Sequence, residues 1–133
     1  QFFPKTPMRI LIDQRGKDIA HAISHGKLNE AISKIRRDAG AKIIRRIKSD
    51  VEGKLKLASA KADLLLIDAR ARATENMTAT LGKELDRLEA LKSINPSVRQ
   101  EEIVQLKQRI SATQAYIEKS SLELQGIRVI ITT

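Results

Sequence analysis

His21 and His25 stand four residues apart, a spacing that puts two imidazoles on one face of a helix and within reach of a single metal ion. The third ligand nearest to hand is Asp18, and the segment also reads as extended chain. The pair is therefore read as ordinary spacing, and no metal site is expected. Catalytic patterns are missing too. The six glycines are isolated, at 16, 26, 40, 53, 82 and 126, so no glycine loop can cradle a phosphate. No G-x-S-x-G elbow is present. Asp63, Glu84, Asp86 and Glu89 lie among Lys and Arg on helical stretches, with Glu84 and Arg87 spaced i,i+3. That is the pattern of a solvated helix face rather than of a tuned acid–base pair. No catalytic residue is expected.

The patterned chemistry that remains is basic. Lys34, Arg36, Arg37, Lys42, Arg45, Arg46 and Lys48 are interrupted by Asp38 alone among the acids. On a helix, Lys42, Arg45 and Arg46 share a face beside an Ile44–Ile47–Val51 stripe. One reading is a patch for phosphate, with double-stranded DNA as partner, or for an acidic protein surface. The other is a solvated basic face. The whole chain carries 25 basic and 16 acidic side chains, net +9. Residues 1–50 hold 12 and 5 of them, net +7, so the excess is local. Aromatics are Phe2, Phe3 and Tyr116 only, which argues against stacking on bases.

These residues must be positioned by the following elements. Residues 1–7, with Pro4 and Pro7, read as a linker. The abrupt start without Met reads as a piece of a longer protein. Residues 8–13 (MRILID) read as a strand, Gln14-Arg15-Gly16 as a turn, and residues 18–22 as a returning strand. Leu28, Ala31, Ile32 and Ile35 predict a helix over 27–38. From Ala41 the apolar positions step by three or four to Leu91. They predict one helix or two nearly collinear ones ending near Ile94, with Gly53 and Gly82 as weak points. Asn95-Pro96-Ser97 stops that helix, and Ser97 with Gln100 matches a capping box. Ile103, Leu106, Ile110, Thr113, Ile117, Ser120, Leu124 and Ile127 then repeat as a heptad. The short corner between matching stripes predicts an antiparallel helical hairpin. Residues 128–133 (RVIITT) are β-branched and read as a closing strand.

The fold class expected is thus α+β. It consists of a small, mostly antiparallel sheet from the N- and C-terminal strands, with helices and a long helical hairpin, about 60–126, packed on it. Residues 8–133 are expected to form a single domain, in keeping with the length of 133 residues. The chain has no Cys, so disulfides are excluded. No run of 18 apolar residues spans a membrane, and no signal peptide opens the chain.

The run ELDRLEALKSINPSVRQEEI, residues 84–103, resembles the C-terminal domain of RapA (also called HepA). That family is one of bacterial, RNA-polymerase-associated, SWI/SNF-type ATPases. LELQGIRVIITT, residues 122–133, is similar to its closing segment, and MRILIDQRGKDIA, residues 8–20, to its opening strand and turn. The resemblance implies a cytoplasmic, bacterial parent that translocates on double-stranded DNA and recycles RNA polymerase in transcription. ATP and Mg²⁺ would belong to the parent's ATPase domain, since no nucleotide motif maps onto this chain, and no cofactor is expected here. The chain would be a non-catalytic C-terminal accessory domain contacting the polymerase core or the parent's ATPase lobes. Asn95, Pro96 and Arg99 at the hairpin corner are the candidate contact residues. The alternatives are a basic nucleic-acid-binding module using residues 34–48 and a purely structural closing domain.

Overall fold

A computed structural model describes residues 2–5 and 7–131. The chain divides into two compact units. One comprises Gln1–Thr6 and Leu65–Leu122, the other Pro7–Leu64 and Glu123–Thr133. Among the described residues five α-helices form: α1, His25–Ala31; α2, Arg37–Arg46; α3, Lys48–Met77; α4, Lys83–Ile94; and α5, Gln100–Glu118. A π turn, Thr78–Gly82, joins α3 to α4. Among the described residues there is no β-strand, only one isolated antiparallel bridge between Ile12 and Asp18.

The expected α+β fold is therefore corrected to a helical one, and the reason lies in the residues around that bridge. Ile19 N donates to Leu11 O at 2.7 Å and Asp13 N to Lys17 O at 2.9 Å. Gly16 makes the turn at φ +81°, where a Cβ would lie 3.0 Å from Leu57 Cδ1. The ladder then stops because side chains consume the backbone groups it needs. Asp18 Oδ1 accepts from Leu11 N (3.2 Å) and Ala20 N (3.0 Å), while Arg9 Nη1 donates to Ala20 O (3.0 Å) and Ile23 O (2.6 Å). Ile19 O accepts from Ala22 N and Ile23 N, curling residues 20–22 into a turn rather than a strand. With no ladder on offer, residues 128–131 remain irregular, since strand propensity acts through pairing. Thr132 and Thr133, the end of the expected strand, lie outside the described residues.

The rest of that unit is helical and thinly packed. Ser24 caps α1, its side chain accepting from Lys27 N at 3.2 Å. The helix expected over 27–38 breaks, with Ile32 at φ −100°, ψ 152° ending α1. A helix so short depends on packing, and none of its residues is buried. Gly40 lies within α2 and does not break it. The interruption before α3 falls at Ile47 (φ −105°, ψ 17°) instead of at Gly53. Backbone bonds Ile47 N to Ile43 O and Val51 N to Ile47 O continue on either side of it.

The hairpin unit holds all the buried residues described: Ala69, Ala73, Met77 and Leu81 on one side, Ile103, Leu106 and Ile117 on the other. Phe2, Phe3, Leu85, Leu88 and Ile110 pack against this core. The apolar spacing accounts for the π turn. From Ala69 to Leu85 every step is four residues, and each such step overshoots a helical turn by about 40°. Four steps would carry Leu85 about 160° around the helix from Ala69, away from α5. The π turn absorbs one extra residue, about 100°, and returns Leu85 and Leu88 to the core side. Gly82 was legible as a weak point, and it closes this turn.

Candidate functional site

The hairpin corner is the best-defined feature among the candidate contact residues. Asn95 N donates to Leu91 O at 2.7 Å, ending α4. The Asn95 side-chain oxygen accepts from Ser97 N (3.0 Å) and from Ser97 Oγ (2.7 Å). The expected capping box does not form, because Ser97 spends its hydroxyl on Asn95. Arg99 takes the N-cap position of α5 with no side-chain cap bond. Asn95, Pro96 and Arg99 are all exposed, so the structure brings the three tip candidates together on one short turn. Across the hairpin, Lys107 Nζ lies 3.5 Å from Glu89 Oε1. An open groove beside the corner is lined by Glu89, Lys92, Ser93, Gln100, Ile103 and Lys107.

Sequence reasoning missed Ile94 as a contact residue. It is 81% exposed, more than any other large hydrophobic residue described. The signal was present: Ile94 follows Leu91 by three and so continues the stripe, but it falls past the last position that α5 can cover. Also missed was Arg70. Its Nη2 donates to the Ser120 carbonyl, and its Nε reaches Ser120 Oγ at 3.4 Å. Ser120 Oγ donates in turn to Ile117 O at 2.6 Å. This clamp secures the end of α5, which stops at Glu118 although the heptad pattern runs on to Ile127.

The basic residues fall in the other unit. Lys34 and Arg36 lie on the stretch between α1 and α2; Arg37, Lys42, Arg45 and Arg46 lie on α2; Lys48 opens α3. All seven are exposed. Arg36 pairs with Asp38 at 3.5 Å and Lys48 with Glu52 at 3.8 Å. The other five make no ion pair among the described residues.

His21 and His25 do not share a helix face. His21 lies in the turn before α1, and His25 opens α1 with its Nε2 3.0 Å from Asn29 Nδ2. Among the described residues no group of three or more His, Cys, Asp or Glu is placed to hold a metal ion. Asp18 is the carboxyl with a distinctive environment outside the surface pairs. Burial acts to raise its pKa, but the N–H groups of Ala20 and Leu11, with Lys61 and His21 nearby, outweigh this and hold it below the ordinary value. Its bonds serve the hairpin-like turn. Glu84 is also lowered, first by the hydrogen bond from Arg87, whose Nη2 lies 2.6 Å from Glu84 Oε1. This is a surface pair, as its spacing indicated. No described helix is long and apolar enough to cross a membrane.

Comparison with known proteins adds what the geometry lacks. The model of the RNA polymerase recycling family C-terminal region matches residues 1–132. The RNA polymerase-associated protein RapA of Vibrio campbellii and that of Vibrio parahaemolyticus are each 30% identical over 133 residues. That of Vibrio atlanticus is 29% identical over the same length. Each alignment covers 100% of this chain and 14% of the relative, so the chain spans about a seventh of the length of these proteins.

Proposed function

The chain belongs to the RNA polymerase recycling family C-terminal (RapA_C), and from that premise we propose that it is a non-catalytic accessory domain of an RNA-polymerase-associated, ATP-dependent SWI/SNF-type translocase. Its work is protein–protein contact through the closed end of the hairpin, with core polymerase as partner. The parent acts in polymerase recycling in the bacterial cytoplasm. ATP and Mg²⁺ belong to the parent's ATPase lobes, and this chain holds no cofactor.

The observation that carries the reading is Ile94. A hairpin that buries Ala73, Met77, Ile103 and Ile117 to between 1% and 3% leaves Ile94 at 81% exposure beside its corner. Arg99, exposed on the same corner, makes no ion pair among the described residues. An exposed apolar side chain and a cation at one corner suit an apolar partner surface with acidic groups at its edge. Glu89 is held by Lys107, and the Asn95–Ser97 bonds pre-order the turn, which lowers the cost of docking.

The test is capture of purified core polymerase by the 133-residue chain, beside a variant carrying Ile94→Asp and Arg99→Glu. The expected result is capture by the natural chain and at least a tenfold loss in the variant, whose changes are both on exposed residues. Capture that ignores the substitutions would remove the tip from the reading. Failure of capture altogether would leave the chain as a structural closing domain working within its parent. ATP turnover by the pure chain would overturn the non-catalytic assignment.

A further inference from the structure

Once placed, the seven cations of the basic run are no longer equivalent. Arg36 and Lys48 are taken by Asp38 and Glu52. Lys34 sits off the helix. Lys42, Arg45 and Arg46 remain, exposed and without an ion pair among the described residues. At 3.6 residues per turn they occupy an arc of about 100° on α2 and rise by only about 6 Å along it. Half-buried Ile43 and Ile47 lie outside this arc.

Helix stability explains only part of this charge. Arg45 and Arg46 stand in the last turn of α2, where cations complement the macrodipole. Lys42 lies before that turn, and Arg37 stands at the positive end of the helix, where a cation is unfavourable. The surrounding unit has 15 basic and 8 acidic side chains, net +7, whereas the hairpin unit has 10 and 8, net +2. All three aromatics, Phe2, Phe3 and Tyr116, belong to the hairpin unit.

The chemistry of the arc narrows the ligand. It carries no apolar or aromatic side chain, so a protein partner would find no anchor for an interface core. Nor does it offer a platform for unstacked bases, which single-strand and RNA-loop readers require. Asp38, one turn before Lys42 within the same arc, is spent on Arg36, and what remains is closely spaced positive charge, two-thirds of it guanidinium, which suits phosphate oxygens. We infer that α2 binds the phosphate backbone of a double-stranded nucleic acid through Lys42, Arg45 and Arg46, without reading sequence.

The test is fluorescence polarisation of the 133-residue chain with a labelled DNA duplex, and with the RNA duplex of the same sequence, over a salt series. Three neutralised phosphates give a slope of log K on log salt of roughly −2.7, or about a 40-fold loss of affinity from ~50 to ~200 mM salt. Arg45→Gln is expected to flatten that slope by about 0.9. The triple variant Lys42→Glu, Arg45→Glu, Arg46→Glu is expected to abolish binding while its circular dichroism and melting stay unchanged. Binding of either duplex with this behaviour supports the inference, and the pair of probes tells which duplex is held. Four results would overturn it: no binding of either duplex at low salt, a triple variant that binds as before, tighter binding of the single strand, or equal competition by polyglutamate. The tip reading stands apart, because the triple variant leaves polymerase capture through Ile94 and Arg99 intact.

Discussion

Deleting Thr80 removes one exposed residue from the π turn. In most buried helices a deletion rotates everything beyond it by about 100° and destroys the packing. Here the turn already holds one residue more than an α-helix needs. Without Thr80 the apolar steps from Ala69 become four, four, three, four and three, which is heptad spacing, and Leu81, Leu85 and Leu88 keep facing α5. The residual drift over Ala69 to Leu85 is about 60°, with the π turn present or with one residue fewer, and the width of an apolar stripe tolerates it. The stability of the Thr80 deletion is therefore expected to fall within about 1 kcal/mol of the natural chain, the order of one helix-propensity change. Deleting Gln108 is the contrast. Between Leu106 and Ile110 there is no extra residue to give up, so Ile117, 2% exposed, rotates out of the core. Losing a buried Ile costs about 2–5 kcal/mol, a large share of the total stability of a small protein. Urea denaturation followed at 222 nm measures both. If the two deletions cost the same, the phase argument for the π turn is wrong.

Arg70→Ala leaves the Ser120 carbonyl without its charged donor, and a loss of about 1–2 kcal/mol is expected, read as faster hydrogen exchange at the Lys119 and Ser120 amides. Asn95→Ala should cost about 1 kcal/mol by releasing the turn bonds, whereas Ser97→Ala should cost clearly less; the reverse order in thermal melts would restore the capping box. Asp18 has a folded pKa below its ordinary 3.8, so its carboxylate stabilises the fold fully above that value. The contribution is lost as pH falls through the lower, folded value. Asp18→Asn should abolish this acid-dependent component, monitored through the Leu11 and Ala20 amide resonances between pH 5 and pH 2, roughly the window over which a depressed carboxyl titrates.

The hairpin was legible because its stabilisation is periodic. Ala69, Ala73, Met77, Leu81, Ile103, Leu106 and Ile117 all lie on the three-and-four spacing, and that spacing is itself the packing geometry. The sheet was misread because the strand signal of residues 8–13 is local, while ladder formation depends on which partners the backbone finds. Asp18 and Arg9 supply those partners from side chains, a competition that apolar patterning does not register. The capping box failed for a similar reason, since Asn95 competes for the Ser97 hydroxyl. Gly53 did not break α3 because a single glycine costs only about 1 kcal/mol against the bonds that flank it. The basic residues were visible by type alone. What spacing did not reveal was that Asp38 and Glu52 would remove Arg36 and Lys48 from the free set. Ile94 was overlooked because an apolar stripe gives no sign of where its partner helix begins.

The corner at Asn95 also orders events in time. Leu91 and Ile103, on either side of it, are separated by only a short loop, so closing the hairpin belongs to the microsecond class of local events, and pairing can proceed outward from there. Phe2 and Phe3 reach the same core at Thr113, Tyr116 and Ile117 across about 110 residues of chain. Closing that span costs about 2 kcal/mol more entropy than closing a ten-residue loop. The N-terminal phenylalanines are therefore late arrivals, docking on a hairpin that has already zipped, and a kinetic experiment on this unit should see them as its last phase.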